Sequence, residues 1–184
     1  MRRLVLTTLL MVGVGGVSAA ESGRIESFPV GIYGDDARAV TCVTGPPGTV
    51  FQQVAWVYVP NDLGLAYVTL RFDYPTNVDL TSRPVFHDLV NNVVFTDFVD
   101  GSVEWNMLFD DCPSGWIKIF TQDCVILDDE MSWIRVVGNH SLVRDCTFVL
   151  NDVNVLNQLS INDPDCQNVP AIPTGWGGVK CRYR

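Results

Sequence analysis

The chain has 184 residues, 47% hydrophobic and 18% charged, with twelve basic residues against twenty-one acids. That length suits one domain with a sizeable core. The acidic balance repels phosphate backbones and anionic membranes, which sets nucleic acid aside as a partner.

The N-terminus reads as an export signal. Arg2 and Arg3 form a positive start, Leu4 to Val17 is an apolar run, and Val17-Ser18-Ala19 offers the small residues a signal peptidase accepts. The run is shorter than the roughly 20 residues a membrane span needs, and no later stretch is apolar enough to cross. The expectation is a signal peptide over residues 1–19 and a single exported domain over 20–184, secreted to the periplasm, cell surface or medium. Without Arg2 and Arg3, ten basic residues face twenty-one acids, a net charge of −11.

Along the remaining chain, period two dominates. Val54 to Val59 is apolar on both faces, as in a central strand, and Pro60-Asn61-Asp62 turns it. Tyr67 to Tyr74 alternates, with Val68, Leu70, Phe72 and Tyr74 on the inward face, and Pro75 stops it. Further strands are expected over Val93 to Val99, Val103 to Phe109, Trp116 to Thr121, Trp133 to Val137, Leu142 to Leu150 and Val179 to Tyr183. In the second of these, Val103, Trp105, Met107 and Phe109 point inward. Gly45-Pro46-Pro47-Gly48, Asp100-Gly101, Pro113-Ser114-Gly115, Gly138-Asn139 and Asn162-Asp163-Pro164 supply turns. The best helical candidate, Val153 to Leu159, is short and rich in Asn. Many short strands at regular spacing predict an all-β fold, an antiparallel two-layer β-sandwich, with a closed barrel as the alternative.

Six cysteines, Cys42, Cys112, Cys124, Cys146, Cys166 and Cys181, follow the signal. An even count on an exported chain predicts three disulfides. Local loop closure suggests Cys112–Cys124 and Cys146–Cys166, and Cys42–Cys181 would then tie the two ends together, although sequence cannot select a connectivity. No CxxC pair is present, and only His87 and His140 could join a soft-metal site, so zinc is not expected.

Candidate chemistry is thin. Nine carboxylates and one base, Lys118, lie between Asp97 and Glu130, with Asp110-Asp111 and Asp128-Asp129-Glu130 the densest groups. Calcium needs several converging oxygens, but no EF-hand loop occurs, and a solvated acidic surface accounts for these residues. Glycoside hydrolysis needs two carboxyl groups about 5–10 Å apart across a cleft, and nothing places Glu104 opposite a partner such as Glu130. His87-Asp88 lacks a nucleophile elbow, and neighbours in a strand point to opposite faces. Asn139-His140-Ser141 fits the N-glycosylation sequon. Trp116 and Trp176, beside glycines in expected turns, are the candidates for stacking on a ligand such as a sugar. Trp105 is expected to point inward by alternation, and Trp56 lies in a strand apolar on both faces. No phosphate or dinucleotide fingerprint is present, so no cofactor, metal or catalytic residue is assigned.

Three stretches resemble a group of exported bacterial proteins. Val30-Gly31-Ile32-Tyr33-Gly34-Asp35, followed by Cys42, is similar to their "GIYAD…C" opening. Cys112-Pro113-Ser114-Gly115-Trp116-Ile117 is similar to a central "C-x-S/T-G-x-I" strand entry. Trp176-Gly177-Gly178-Val179-Lys180 resembles their "WGxVK" ending, though Cys181-Arg182-Tyr183 departs from the usual Leu-Tyr. The run from Val54 through Tyr74 to Val78 also resembles the start of cohesin-type modules. The resemblance implies bacterial origin, export and an immunoglobulin-like or cohesin-like sandwich, and carries over no functional residue. The leading expectation is a non-catalytic exported protein that works in binding, adhesion or extracellular assembly. Its partner would be a protein or glycan at the cell surface, or a second copy joined through a sheet edge. A carbohydrate-binding module and a small carboxylate-dependent glycoside hydrolase are the alternatives.

Overall fold

A computed structural model describes residues 27–98 and 100–166. The expected signal segment, Trp176, Cys181 and the strand over Val179 to Tyr183 lie outside the described residues.

In chain order the strands are β1 (Ser27–Tyr33), β2 (Cys42–Val43), β3 (Val50–Val59), β4 (Leu65–Asp73), β5 (Val78–Leu80), β6 (Val85–Phe86) and β7 (Val90–Asp97). Then come β8 (Ser102–Phe109), β9 (Gly115–Ile126), β10 (Ser132–Val136), a 3-10 turn (Gly138–His140), β11 (Leu142–Asp145), β12 (Leu150–Val155) and β13 (Leu159–Ile161). One layer places β3 between β1 and β9, with β5 and β6 on the far edge of β9. The other runs β7–β8–β4, with β10 and β11 sharing the second edge of β4. The pairings are antiparallel, except that β12 lies parallel to β1 and β13 parallel to β2. β12 also pairs with β11, so it joins the two layers.

Alternation builds the core. Val68, Leu70 and Phe72 of β4 are fully buried and face the layer carrying Ile119 and Phe120 of β9. Phe72 meets Phe120 edge-on at 5.3 Å between centroids, and Trp105 of β8 meets Phe86 in the same manner at 5.4 Å. Such contacts add to the burial of apolar area, the main stabilising term of the fold. The inward faces expected for β4 and β8 are those observed.

Two elements differ from expectation. Val153 to Leu159 is not helical: it contains the end of β12, a short link and the start of β13. Val30↔Val155 pairing holds the first part extended. The side chain of Asn157 then accepts from the Ile32 amide at 3.1 Å and donates to the Ile32 carbonyl at 2.5 Å. An Asn side chain thus continues the ladder where the backbone turns away. Leu142 to Leu150 is a hairpin rather than one strand. The Asp145 carboxylate accepts from the amides of Thr147 and Val149, the Thr147 hydroxyl and Asn151 Nδ2, which closes the turn.

The disulfides are Cys42–Cys166, with Cα atoms 5.7 Å apart, and Cys112–Cys146, at 6.1 Å. None of the three expected pairings forms. Cys124 stands far along β9 from Gly115, about 30 Å of extended chain, and is a buried free thiol. Cys112 instead meets the end of β11, because Pro113 and Leu63 are hydrogen-bonded to Leu65 and Cys146. Gly64, at φ +65°, allows this approach: a Cβ there would lie 2.8 Å from the Cys112 carbonyl. Cys42 sits in β2 opposite Ser160 of β13, and Cys166 follows β13 closely enough to return to it.

Candidate functional site

Strand register fixes which side chains share the outer face of the β7–β8–β4–β11–β12 layer, since directly paired residues point the same way. One row is Leu108–Tyr67–Arg144–Leu150, from β8, β4, β11 and β12 in turn. The next is Val94–Asn106–Thr69–Leu142–Asp152. Leu108 is 43% exposed, Leu150 51% and Val94 55%, while Phe148, at the tip of the β11–β12 hairpin, is 77% exposed. Leu108, Leu150 and Val94 are therefore presented on a hydrogen-bonded sheet, with Phe148 in the turn beside them.

Polar groups stiffen this surface from within. Tyr67 Oη donates to Asn106 Oδ1 at 2.5 Å, Thr69 Oγ1 lies 2.8 Å from the same oxygen, and Asn106 Nδ2 donates to Glu104 at 2.9 Å. This partnership gives Glu104 a structural duty on β8; Glu130 lies in the loop before β10.

One end of the layer carries an open polar cleft of about 340 Å³ lined by Arg71, Asp73, Asp100, Ser102, Val137 and His140. Arg71 is held there by Ser102 Oγ at 2.9 Å, by Asp100 at 2.7 Å and by the Phe98 ring at 4.1 Å. Hydrogen bonds from the Ser102 hydroxyl and amide, then the charge of Arg71, hold the Asp100 carboxyl below its ordinary range. His140 is exposed in the 3-10 turn. His87 Nδ1 accepts from the Leu89 amide at 3.2 Å, which occupies the nitrogen a triad would need.

The opposite outer face, over β1–β3–β9, is aromatic. Trp116 is the second residue of β9, within the strand expected over Trp116 to Thr121, and is half-buried. It packs on Tyr58 at 5.4 Å, and the Arg38 guanidinium lies 4.4 Å from its centroid and 5.0 Å from that of Trp56. The Asp35 carboxylate accepts from the amides of Ala39 and Val40, which folds the loop after β1 and aims Arg38 at the rings. Gly31 is required beneath: a Cβ there would meet Asn157 Oδ1 at 2.6 Å and the Tyr33 ring at 2.7 Å. Lys118 pairs with Asp36 at 3.1 Å alongside. Arg38 thus covers a face of Trp116 that a sugar would need for stacking. Sequence reasoning singled out Trp116 but missed Arg38 and the outward row Leu108–Tyr67–Arg144–Leu150. The alternation in β4 and β8 already marked Tyr67 and Leu108 as outward; their alignment with Arg144 and Leu150 needed the register.

Among the described residues, no group of three or more His, Cys, Asp or Glu side chains could hold a metal ion. No described helix is long and apolar enough to cross a membrane.

No protein-family model and no curated protein matches the chain. Solved structures do. A chain of a type I cohesin–dockerin complex from Clostridium thermocellum is similar over 77% of this chain and 96% of its own, with a TM-score of 0.59 and 12% identity. A type II cohesin domain from the cellulosome of Acetivibrio cellulolyticus covers 77% and 98%, with a TM-score of 0.57 and 13% identity. A non-cellulosomal cohesin from the archaeon Archaeoglobus fulgidus covers 76% and 94%, with a TM-score of 0.55 and 13% identity. The fold is therefore a cohesin-like β-sandwich, stapled by two disulfides among the described residues.

Proposed function

We propose that this chain is an exported, non-catalytic binding module that docks a protein partner on the outer face of β8–β4–β11–β12 and serves extracellular assembly. The observation that carries the reading is the row Leu108–Tyr67–Arg144–Leu150, with Phe148 beside it at the hairpin tip. Exposed apolar anchors, an aromatic side chain and one Arg on a rigid sheet are the composition of protein interfaces, where Tyr and Arg are enriched. In a protein of net charge −9, Arg144 at the centre of this row also selects a partner that offers a carboxylate there. The cohesin-like fold supports the reading by analogy, since the neighbour from Clostridium thermocellum is a cohesin–dockerin complex. Two disulfides suit an oxidising compartment.

The test compares the oxidised chain with a Leu108→Glu/Leu150→Glu variant, both immobilised and exposed to the proteins outside the source cell. Both substitutions fall on exposed positions, so the sandwich is retained. The expected result is one protein bound by the wild-type surface at a defined stoichiometry and weakened at least tenfold by the variant. Equal binding by both surfaces, or retention of polysaccharide instead of protein, overturns the reading.

A further inference from the structure

Strand β7 ends its layer: it pairs with β8 alone, so its second edge is open among the described residues. Its sequence, Val90-Asn91-Asn92-Val93-Val94-Phe95-Thr96-Asp97, contains no Pro, Lys or Arg. Those are the residues that ordinarily blunt an exposed edge against pairing. Val94 is 55% exposed and Phe95 48%, one on each face of the strand.

The open hydrogen-bonding groups can be assigned. The Phe98 amide donates to the Ser102 carbonyl at 3.0 Å, so Phe98 looks toward β8. Backbone groups alternate along an antiparallel strand, so Thr96 and Val94 also look toward β8. Asp97, Phe95 and Val93 then turn their N–H and C=O outward. The same alternation carried across the sheet points the backbone of Arg71 in β4 away from β8. That is where it bonds Val137 and Ser141.

We infer that two copies of this protein join through β7, antiparallel, about a twofold axis at Val94. Same-face pairing restricts the register, because only residues that point to the same side of a continuous sheet can lie opposite one another. With Val94 opposite its own copy, Phe95 lies opposite Val93 and Thr96 opposite Asn92; the ladder ends there, because the register of β7 shifts between Val90 and Asn92. The outward amides of Phe95 and Val93 exchange hydrogen bonds. Val94 and its copy form the close, non-hydrogen-bonded pair on the outer face, and Phe95 meets Val93 on the inner face. Asp97, the one charged residue of the strand, lies beyond this ladder, so no like charges oppose within it. This self-complementarity favours a second copy over an unrelated strand. The inference is independent of the partner proposed for Leu108, Tyr67, Arg144 and Leu150, which lie further into the sheet.

The register is tested with the oxidised protein carrying Val94→Cys or, as a control, Asn92→Cys. Close pairs in antiparallel strands have Cα atoms about 4.5 Å apart, within the range a disulfide accepts. The expected result is a disulfide-linked dimer for V94C and little for N92C, which lies opposite Thr96. Sedimentation of the unmodified protein at about 100 μM should show dimer. Val94→Glu, exposed and set against its own copy, should return it to monomer with an unchanged circular dichroism spectrum. Leu150→Glu should leave the dimer intact. A monomer at that concentration, equal cross-linking of V94C and N92C, or a dimer insensitive to V94E overturns the inference.

Discussion

The guanidinium carbon of Arg38 lies 4.4 Å from the ring centroid of Trp116, with the Trp56 ring 5.0 Å away on β3. Burial against these rings lowers the pKa of Arg38 from its ordinary value, and the nearby Tyr33 works the other way. Arg38 also has φ +59°, which a side chain other than Gly or Asn adopts at a cost. Arg38→Ala keeps that cost and loses the stack, so it should destabilise by about 1 kcal/mol. Arg38→Gly should be less harmful than Ala, because it relieves the backbone. Urea unfolding followed by tryptophan fluorescence checks both the order and the change in the folded-state spectrum.

Asp145 organises the β11–β12 hairpin. Burial acts to raise its pKa, but hydrogen bonds from Thr147, Asn151 and the Val149 amide outweigh it and hold the carboxyl below its ordinary value. A carboxylate depressed in the folded state contributes stability that is present above the unfolded value, about 3.9. That contribution is lost as pH falls through the folded value. Asp145→Ala should therefore cost about 1–3 kcal/mol at pH 7, and the difference from wild type should narrow below about pH 4. Asp145→Asn, which still offers a carbonyl oxygen to Thr147, should lose less. Denaturant midpoints at both pH values decide this.

Non-reducing peptide mapping should recover Cys42 joined to Cys166 and Cys112 joined to Cys146. The first closes the longer loop, with a sequence separation of 124 against 34. Removing it as Cys42→Ser/Cys166→Ser should lower stability by about 2–4 kcal/mol, and in the chain-entropy account by more than removing the second. Thermal unfolding of the two double variants measures the order.

Cys124 should be chemically silent in the folded protein. Burial, then the charges of Asp123 and Asp79, push its thiol up to about 12. At pH 8 almost none of it is thiolate. Peptide-resolved alkylation should leave Cys124 unmodified until denaturant is added, and label it readily afterwards.

Much of the sandwich is written in alternation that any reader of the chain can see. Val68, Leu70 and Phe72 alternate with Thr69 and Arg71, and burying one face of such a segment leaves no other economical conformation. Short pieces without that signal were not legible. β2 and β13 have two and three residues, and they exist because neighbours pair with them. Val153 to Leu159 reads equally well as a weak helix. Only the parallel pairing with β1 and the Asn157 bridge to Ile32 decide it.

Composition and period by themselves determined an all-β, disulfide-bearing, acidic chain and the inward faces of its main strands, because those depend on neighbours two residues apart. Tertiary structure alone decided which cysteines meet, that Arg38 lies on Trp116, that Leu108 and Leu150 share a row, and that β7 is an edge. Each of these joins residues distant in the chain. Their distance in space is set by strand register and sheet order, which the hydrophobic pattern of a single strand does not encode.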